Sequence, residues 1–313
     1  RNRAKEREPP VRAPAALEGR PRFTFSRFTF HVFTFSRIHL FTMPHIHPTA
    51  IVSPQADLAE DVTVEAYAVI EGRVRIGAGS LVRHHSVIYG STVLGANCRI
   101  GPAAYVGMDP QHLAYKGEET WLIAGDNLTV REGASVHRAF KPGEENATRV
   151  GSRCYFMANS HVAHDCRLED DVIFANGVAI GGHVRVGARA FLGGGAMVHQ
   201  FAQIGRLAII SGNEVITRDV PPFAAVRYGG LKGYNAIGCK RSGMSRESSH
   251  AIRGVFRCLG RHRTTPGAVK AIIETVPDLP EVREVLEFIA ASKRGIQPSL
   301  RFAVYDRRED GAD

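Results

Sequence analysis

VAHDCRLEDDVIFANGVAIGGHVRVGARAFLGGGAMV, residues 162–198, carries an apolar residue at every sixth position: Val162, Leu168, Phe174, Ile180, Val186, Leu192 and Val198. Followed outward, the same register includes Val150 and Phe156 before it and Ile204, Ile210 and Ile216 after it. A second run keeps the same step from Val52 through Leu58, Val64, Ile70, Ile76, Val82, Ile88, Leu94 and Ile100 to Val106, with Val130 and Val136 between the two. A helix repeats at about 3.6 residues and a strand at 2, so neither yields an unbroken period of six. Hexapeptides of this kind build a parallel β-helix, an all-β solenoid in which each six supplies a short strand and a corner. One residue per six is expected to face the core. Glycine follows the apolar residue in Ile76-Gly77, Leu94-Gly95, Ile100-Gly101, Val186-Gly187 and Ile204-Gly205, and is expected to let the corner turn. Three hexads close a coil of 18 residues, and coils stack at the spacing of paired strands, about 4.8 Å.

The solenoid is expected over residues 43–222. Two polar, Gly-rich stretches near 107–127 and 137–149 interrupt it, and the first holds the only Trp, Trp121. Loops thrown out of a solenoid gather at its binding face. The DVPPF stretch at 219–223 ends the repeat, and 223–313 reads as a small helical domain. Helices are expected at about 245–260 with Ser245 as cap, 266–276 with Thr265 before Pro266, and 280–294 with Asp278 upstream and Gly295 as the stop, followed by a frayed tail.

Residues 1–42 read differently. They hold nine Lys/Arg against three Asp/Glu, repeat FTFSR at 23–27 and 33–37, and contain seven of the sixteen Phe. They are expected to lie outside the fold, with Met43 as the natural start; an organelle-targeting peptide is the alternative. This stretch accounts for +6 of the net +9, so the remainder is close to balanced and argues against a nucleic-acid binder. No apolar run reaches the length of a membrane span. The five cysteines (98, 154, 166, 239 and 258) are scattered and form no CxxC pair, which suits reduced thiols in a cytoplasmic setting.

The coil length converts spacing into proximity. His164, Gly182 and Gln200 are each 18 apart and form one column; Asp165, His183 and Phe201 form the next. His161 stacks on Ala179, and His199 adjoins Gln200. Four of the fourteen histidines therefore fall on one patch. Three readings remain open on the residues alone. The patch is a solvated polar ladder; or it holds a metal, as zinc-bearing β-helices of the gamma carbonic anhydrase kind do; or a histidine takes a proton from a hydroxyl beside an oxyanion donor. For Asp165 to orient His164 the pair has to sit at a corner, because neighbours on a strand point apart.

NSHVAHDC (159–166), IGGHV (180–184), GGGAMVHQF (193–201), DVPPF (219–223) and GYNAIGCKRSGMSRE (233–247) together resemble the bacterial UDP-N-acetylglucosamine O-acyltransferases that begin lipid A synthesis. The resemblance runs in order from about Met43 to about Gly295. It implies a left-handed parallel β-helix followed by a C-terminal helical domain, assembled as a homotrimer with sites between subunits. It implies transfer of a 3-hydroxyacyl group from acyl carrier protein to the 3-hydroxyl of UDP-N-acetylglucosamine, with no metal or organic cofactor. By the same resemblance His164 matches the general base, Asp165 its partner and the Gly182 N–H the oxyanion donor. His161, His199 and Gln200 match sugar-nucleotide contacts, and His183 matches a contact near the acyl donor. Asn235 and Arg241 match nucleotide and phosphate contacts, and Gly212 matches the position that gauges acyl-chain length, where a glycine leaves room.

The chain departs from the family pattern at the loop QHLAY, where His112 and Ala114 replace an acid and a lysine that help hold substrate. Ile237 and Ser242 replace a Glu and an Arg found in some members. An amino-sugar acceptor, giving an amide, and a non-catalytic scaffold are the alternatives. Arg246, Arg253, Arg257, Arg261 and Arg263 offer a basic helical face for an acidic acyl carrier protein, or simply a solvated one.

Overall fold

The computed structural model describes residues 43–300. The expectations for residues 1–42 and for the frayed tail beyond 300 lie outside the described residues. From strand His45–Ile46 onward the chain winds a three-sided parallel β-helix whose sheets hold 11, 9 and 8 strands. We call these faces A, B and C. Consecutive strands fall on different faces, and a strand pairs with the one a full coil later. His161 pairs with Ala179, and Ala179 with Met197, so the step is 18 residues.

The hexads bury more than one residue each. Beside the large apolar residue of the strand, the residue two before it also faces inward: Ser160 before Val162, Cys166 before Leu168, Val172 before Phe174 and Ala190 before Leu192 are all buried. The second position is small because it lies where the coil narrows into a corner. Cys98, Cys154 and Cys166 occupy it, and burial pushes the thiols of Cys154 and Cys166 up to about 12. These cysteines therefore pack as small apolar groups, as free cysteines commonly do.

The corner glycines also act differently from expectation. At most corners the left-handed residue is the third after the strand apolar, as at Asn159, Asp165, Asp171 and His183. Gly187 and Gly205, first after the apolar residue, are required by close approach. A Cβ on Gly187 would lie 2.4 Å from Arg206 N, and one on Gly205 2.2 Å from Pro222 N, on the next coil.

Two insertions enlarge single coils. Arg99 pairs with Thr129, a step of 30, and Thr129 with Tyr155, a step of 26. The first insertion is narrower than expected, because Trp121–Ala124 is a strand paired with Ser91–Leu94. Face A also continues past the expected end at 222: Ala224–Arg227 pairs parallel with Ile209–Ile210 and then turns back antiparallel onto Gly230–Tyr234. Ala224, Val226 and Leu231 are buried and carry the core across the two prolines.

Four helices follow: α1 Ala236–Arg241, α2 Arg246–Arg261, α3 Thr265–Thr275 and α4 Pro280–Ala291. Ser245 caps α2 as expected, while α3 is capped by Thr264 and not Thr265. Helix α1 was not expected; Asn235 caps it by accepting the Gly238 N–H at 2.9 Å. Asp278 caps nothing and pairs with Arg283 at 2.9 Å. Asp219, fully buried, fastens the helices to the solenoid by accepting from Gln203 N–H at 2.8 Å and Ser292 Oγ at 2.6 Å.

Phe156 and Phe174 stack on successive coils with centroids 5.0 Å apart, both wholly buried. Phe174→Ala is expected to cost about 3–5 kcal/mol, read as a lower denaturant midpoint with circular dichroism of the solenoid otherwise retained before the transition.

Candidate active site

His164 and Asp165 occupy the corner after strand His161–Val162 on face B. Their side chains meet, with His164 Nδ1 at 2.6 Å from Asp165 Oδ2. The backbone makes this possible: Asp165 has φ 59°, in the left-handed region that Asp tolerates. Its N–H donates to the buried Thr148 hydroxyl at 2.8 Å, and its Oδ2 also accepts the Phe140 N–H at 3.1 Å. When the Nδ1 proton is donated to Asp165, the lone pair of a neutral imidazole lies on Nε2.

Gly182, one coil on, lies flat against this imidazole. A Cβ there would sit 2.6 Å from His164 Cε1 and 2.8 Å from Nε2, so only glycine admits the ring. The bonds on either side run from Gly181 N–H to Val198 O and from His183 N–H to His164 O. The Gly182 N–H between them takes no acceptor among the described residues. The His164 ring and the unpaired Gly182 amide thus lie against one another on neighbouring coils.

More imidazoles surround the pair. His183 stands edge-on to His164 with centroids 5.4 Å apart and stacks on Phe201 at 4.6 Å. From the other side the first insertion folds back, and His112 stacks on Phe140 at 3.9 Å while lying 5.5 Å from His164, edge-on. The buried Arg138 holds that loop. Its guanidinium donates to Gly107 O at 2.7 Å, Tyr115 OH at 3.1 Å and Thr120 Oγ1 at 3.3 Å, and pairs with Asp109. His137 Nδ1 donates to Asp109 O at 2.6 Å, and its ring meets His161 edge-on at 5.0 Å. Sequence reasoning missed His137, Arg138, Phe140 and Ser135, whose hydroxyl lies 2.8 Å from His161 Nδ1. Their offset from the histidine patch is a coil plus an insertion, 26 residues between Ser135 and His161, and the hexad step does not reveal it.

Burial disfavours the charged form of three imidazoles near His164. It depresses His161 to about 4, with the nearby His137 and His164 adding to the effect. His137 is lowered mainly by burial too, against the opposing bond to Asp109 O. His183 is lowered by burial, which outweighs the attraction of Asp165. For Asp165, burial acts to raise the carboxyl, but the bonds from His164 and Phe140 N–H and the His183 ring hold it below the usual range. His164, Asp165 and His183 also bring three possible metal-ligand atoms within 4.8 Å of one another, the one such group among the described residues.

Residues 219–297 match the family model described as Udp N-acetylglucosamine O-acyltransferase, Domain 2, and residues 147–182 match the bacterial transferase hexapeptide model. An acyl-[acyl-carrier-protein]–UDP-N-acetylglucosamine O-acyltransferase of Thermodesulfovibrio yellowstonii is 39% identical over 257 residues, covering 81% of this chain and 99% of that protein. One of Syntrophobacter fumaroxidans is 42% identical over 255 residues, 80% of this chain and 98% of that one. The chain belongs to the UDP-N-acetylglucosamine O-acyltransferase family. The solved LpxA of Acinetobacter baumannii superposes with a TM-score of 0.75 at 37% identity, over 80% of this chain and 99% of that structure.

Within this acyltransferase, the other site residues inferred from the sequence are dispersed. His199 and Gln200 are exposed and lie two coils beyond Ala163 and His164, about 10 Å along the axis. Asn235 is committed at both ends, since its Oδ1 caps α1 and its Nδ2 donates to Leu207 O at 2.8 Å. Arg241 is exposed at the end of α1, and Gly212 is exposed beside Gly194. His199, Gln200, Gly212, Asn235 and Arg241 make no hydrogen bond or ion pair with His164, Asp165 or His183 within the single chain.

The depressed His161 implies a pH effect on stability. Unfolded, an imidazole titrates at about 6.5; folded, His161 does so at about 4. Between those values the unfolded chain binds more protons, so stability is full above the upper value and falls as pH drops toward the lower. His161→Asn is expected to flatten the decline of the denaturant midpoint across that window, and an unchanged slope would assign the decline to other groups.

Proposed function

We propose that this chain transfers a 3-hydroxyacyl group from acyl carrier protein to the 3-hydroxyl of UDP-N-acetylglucosamine, the first step of lipid A biosynthesis, in the cytoplasm. The observation that carries the reading is the His164–Asp165 pair set against the free Gly182 N–H. His164 Nε2 takes the proton of the sugar hydroxyl as its oxygen attacks the thioester carbonyl. Asp165 stabilises the imidazolium that results. The Gly182 N–H donates a hydrogen bond to the oxyanion of the tetrahedral intermediate, a contribution typically worth about 3–4 kcal/mol. Collapse breaks the C–S bond, and the departing carrier thiolate recovers the proton from His164. No metal or organic cofactor enters these steps. His161, His183 and His112 line the acceptor and donor approaches as neutral or stacked rings. The glycine at 212 leaves the acyl groove open to a longer chain.

The dispersed residues fit a homotrimer in which His199, Gln200, Gly212, Asn235 and Arg241 complete sites across subunit boundaries. Face B supports this. Its outward column pairs Ile51, Val69, Val87 and Tyr105 in register, and later Ala179, Met197 and Val215. Met197 and Val215 are 52% and 51% exposed, an apolar strip beside the catalytic corner of the kind that association covers. Met197→Glu with Val215→Glu is expected to convert trimer to monomer, with loss of transfer, in sedimentation experiments.

Transfer from 3-hydroxyacyl carrier protein to UDP-N-acetylglucosamine is expected to persist in chelator and to fall by about a thousandfold or more in His164→Ala. Loss of wild-type activity in chelator would point to the His164–Asp165–His183 group as a metal site. Wild-type transfer only to the 3-amino sugar nucleotide would make the product an amide, with His112 and Ala114 as the first residues to examine. Activity retained by His164→Ala would sink the mechanism.

A further inference from the structure

Face C carries a row of like charges that the transfer mechanism does not use. Arg149, Arg167 and Arg185 pair in register on three successive strands, so their backbones follow one another at about 4.8 Å. Like charges set directly opposite one another in a sheet are unfavourable. Arg149 donates to Glu144 O at 3.1 Å, while Arg167 and Arg185 are exposed and have no carboxylate partner among the described residues. They border a groove of about 500 Å³, walled on its far side by Phe288 of α4. Neither of its two acids forms an ion pair with the row among the described residues: Glu284 is taken by Arg206 at 2.8 and 2.9 Å, and Glu169 accepts the Ala188 N–H at 2.9 Å. The row begins where the site ends, since Arg167 follows His164 by three residues on the same coil and Arg185 follows His183 by two.

We propose that this arginine ladder docks an acidic helix of the acyl carrier protein that delivers the donor. The inference rests on the acyl-transfer reading above. Carboxylates three or four residues apart on one helix face are about 5–6 Å apart, a pitch that matches the ladder, and the apolar wall at Phe288 suits the side of such a helix. A single phosphate would engage one or two guanidinium groups and leave the rest of the row unmatched. Face B is apolar and suits association between copies, whereas the charged strip on face C suits a polar, exchanging partner. The alternative surface is the stripe of Arg253, Arg257 and Arg261 on α2, exposed at four-residue spacing but on the helical domain.

The test compares carrier-bound donor with the same acyl group on phosphopantetheine alone, in the intact full chain. Arg167→Ser with Arg185→Ser is expected to raise KM for the carrier-bound donor about tenfold with kcat little changed. KM for the sugar nucleotide and all kinetics with the protein-free donor should stay at wild-type values, and the salt dependence of carrier binding should become shallower. Arg167→Lys with Arg185→Lys should restore most of the loss. An unchanged carrier KM overturns the proposal while leaving the acyltransferase reading intact. So does an equal loss with both donors, or a rise confined to Arg253→Ser with Arg257→Ser on α2. Wild-type protein that transfers from neither donor refutes the functional reading itself, and the ladder's role with it.

Discussion

The parallel register between coils is the constraint on which the rest of this structure depends. Outside the two insertions and the shortened last coil, where Ile209 pairs with Ala225, a strand pairs with the strand 18 residues away, so a residue's position modulo one coil decides what lies above and below it. Two of each six side chains must fill a narrow interior, one large and one small. At most corners the third residue after the strand apolar adopts left-handed geometry. Little conformational freedom remains in such a corner, and a corner is where His164 and Asp165 stand. The positive φ that turns the coil is the same feature that lets two adjacent side chains meet at 2.6 Å.

The site is unusual in its charge balance. Five imidazoles (His112, His137, His161, His164 and His183) gather near one paired carboxylate. Were several protonated together, their repulsion would be uncompensated in a partly buried place. Burial prevents this by depressing His137, His161 and His183. In the transfer proposed above, a charge forming on His164 would be met by Asp165, 2.6 Å away. The buried Arg138 stands further back: by binding Gly107 O, Tyr115 OH and Thr120 Oγ1 it shapes the loop that carries His112 to His164.

The outward positions of the strands divide the labour among the faces. Face B is largely apolar along its length, and face C turns basic beside the site. Because a strand residue of the solenoid points either fully in or fully out, surface character can be set one coil at a time without disturbing the core. The helical end adds its own attachments through Asp219 and the Arg206–Glu284 pair.

The amino-acid sequence by itself determined the solenoid, its coil length and the columns His164–Gly182 and Asp165–His183. A hexad period is a local property, and addition of 18 then yields the neighbours. It also carried the family, through short stretches that remain continuous in the chain. Where insertions change the step to 30 and 26, that arithmetic stops, and only the tertiary structure brought His137, Phe140 and His112 to the histidine patch and set Arg138 behind their loop. The glycines show the same division. The sequence marks Gly187 and Gly205 as special, but their reason is the backbone of the next coil, which no local pattern contains. Asn235 was legible as a polar residue of a family motif, yet its cap on α1 and its bond to Leu207 O appear only once residues 28 apart are folded together. Local periodicity reports what repeats along the chain; a site built from insertions and coil-to-coil contacts exists only when distant segments are packed side by side.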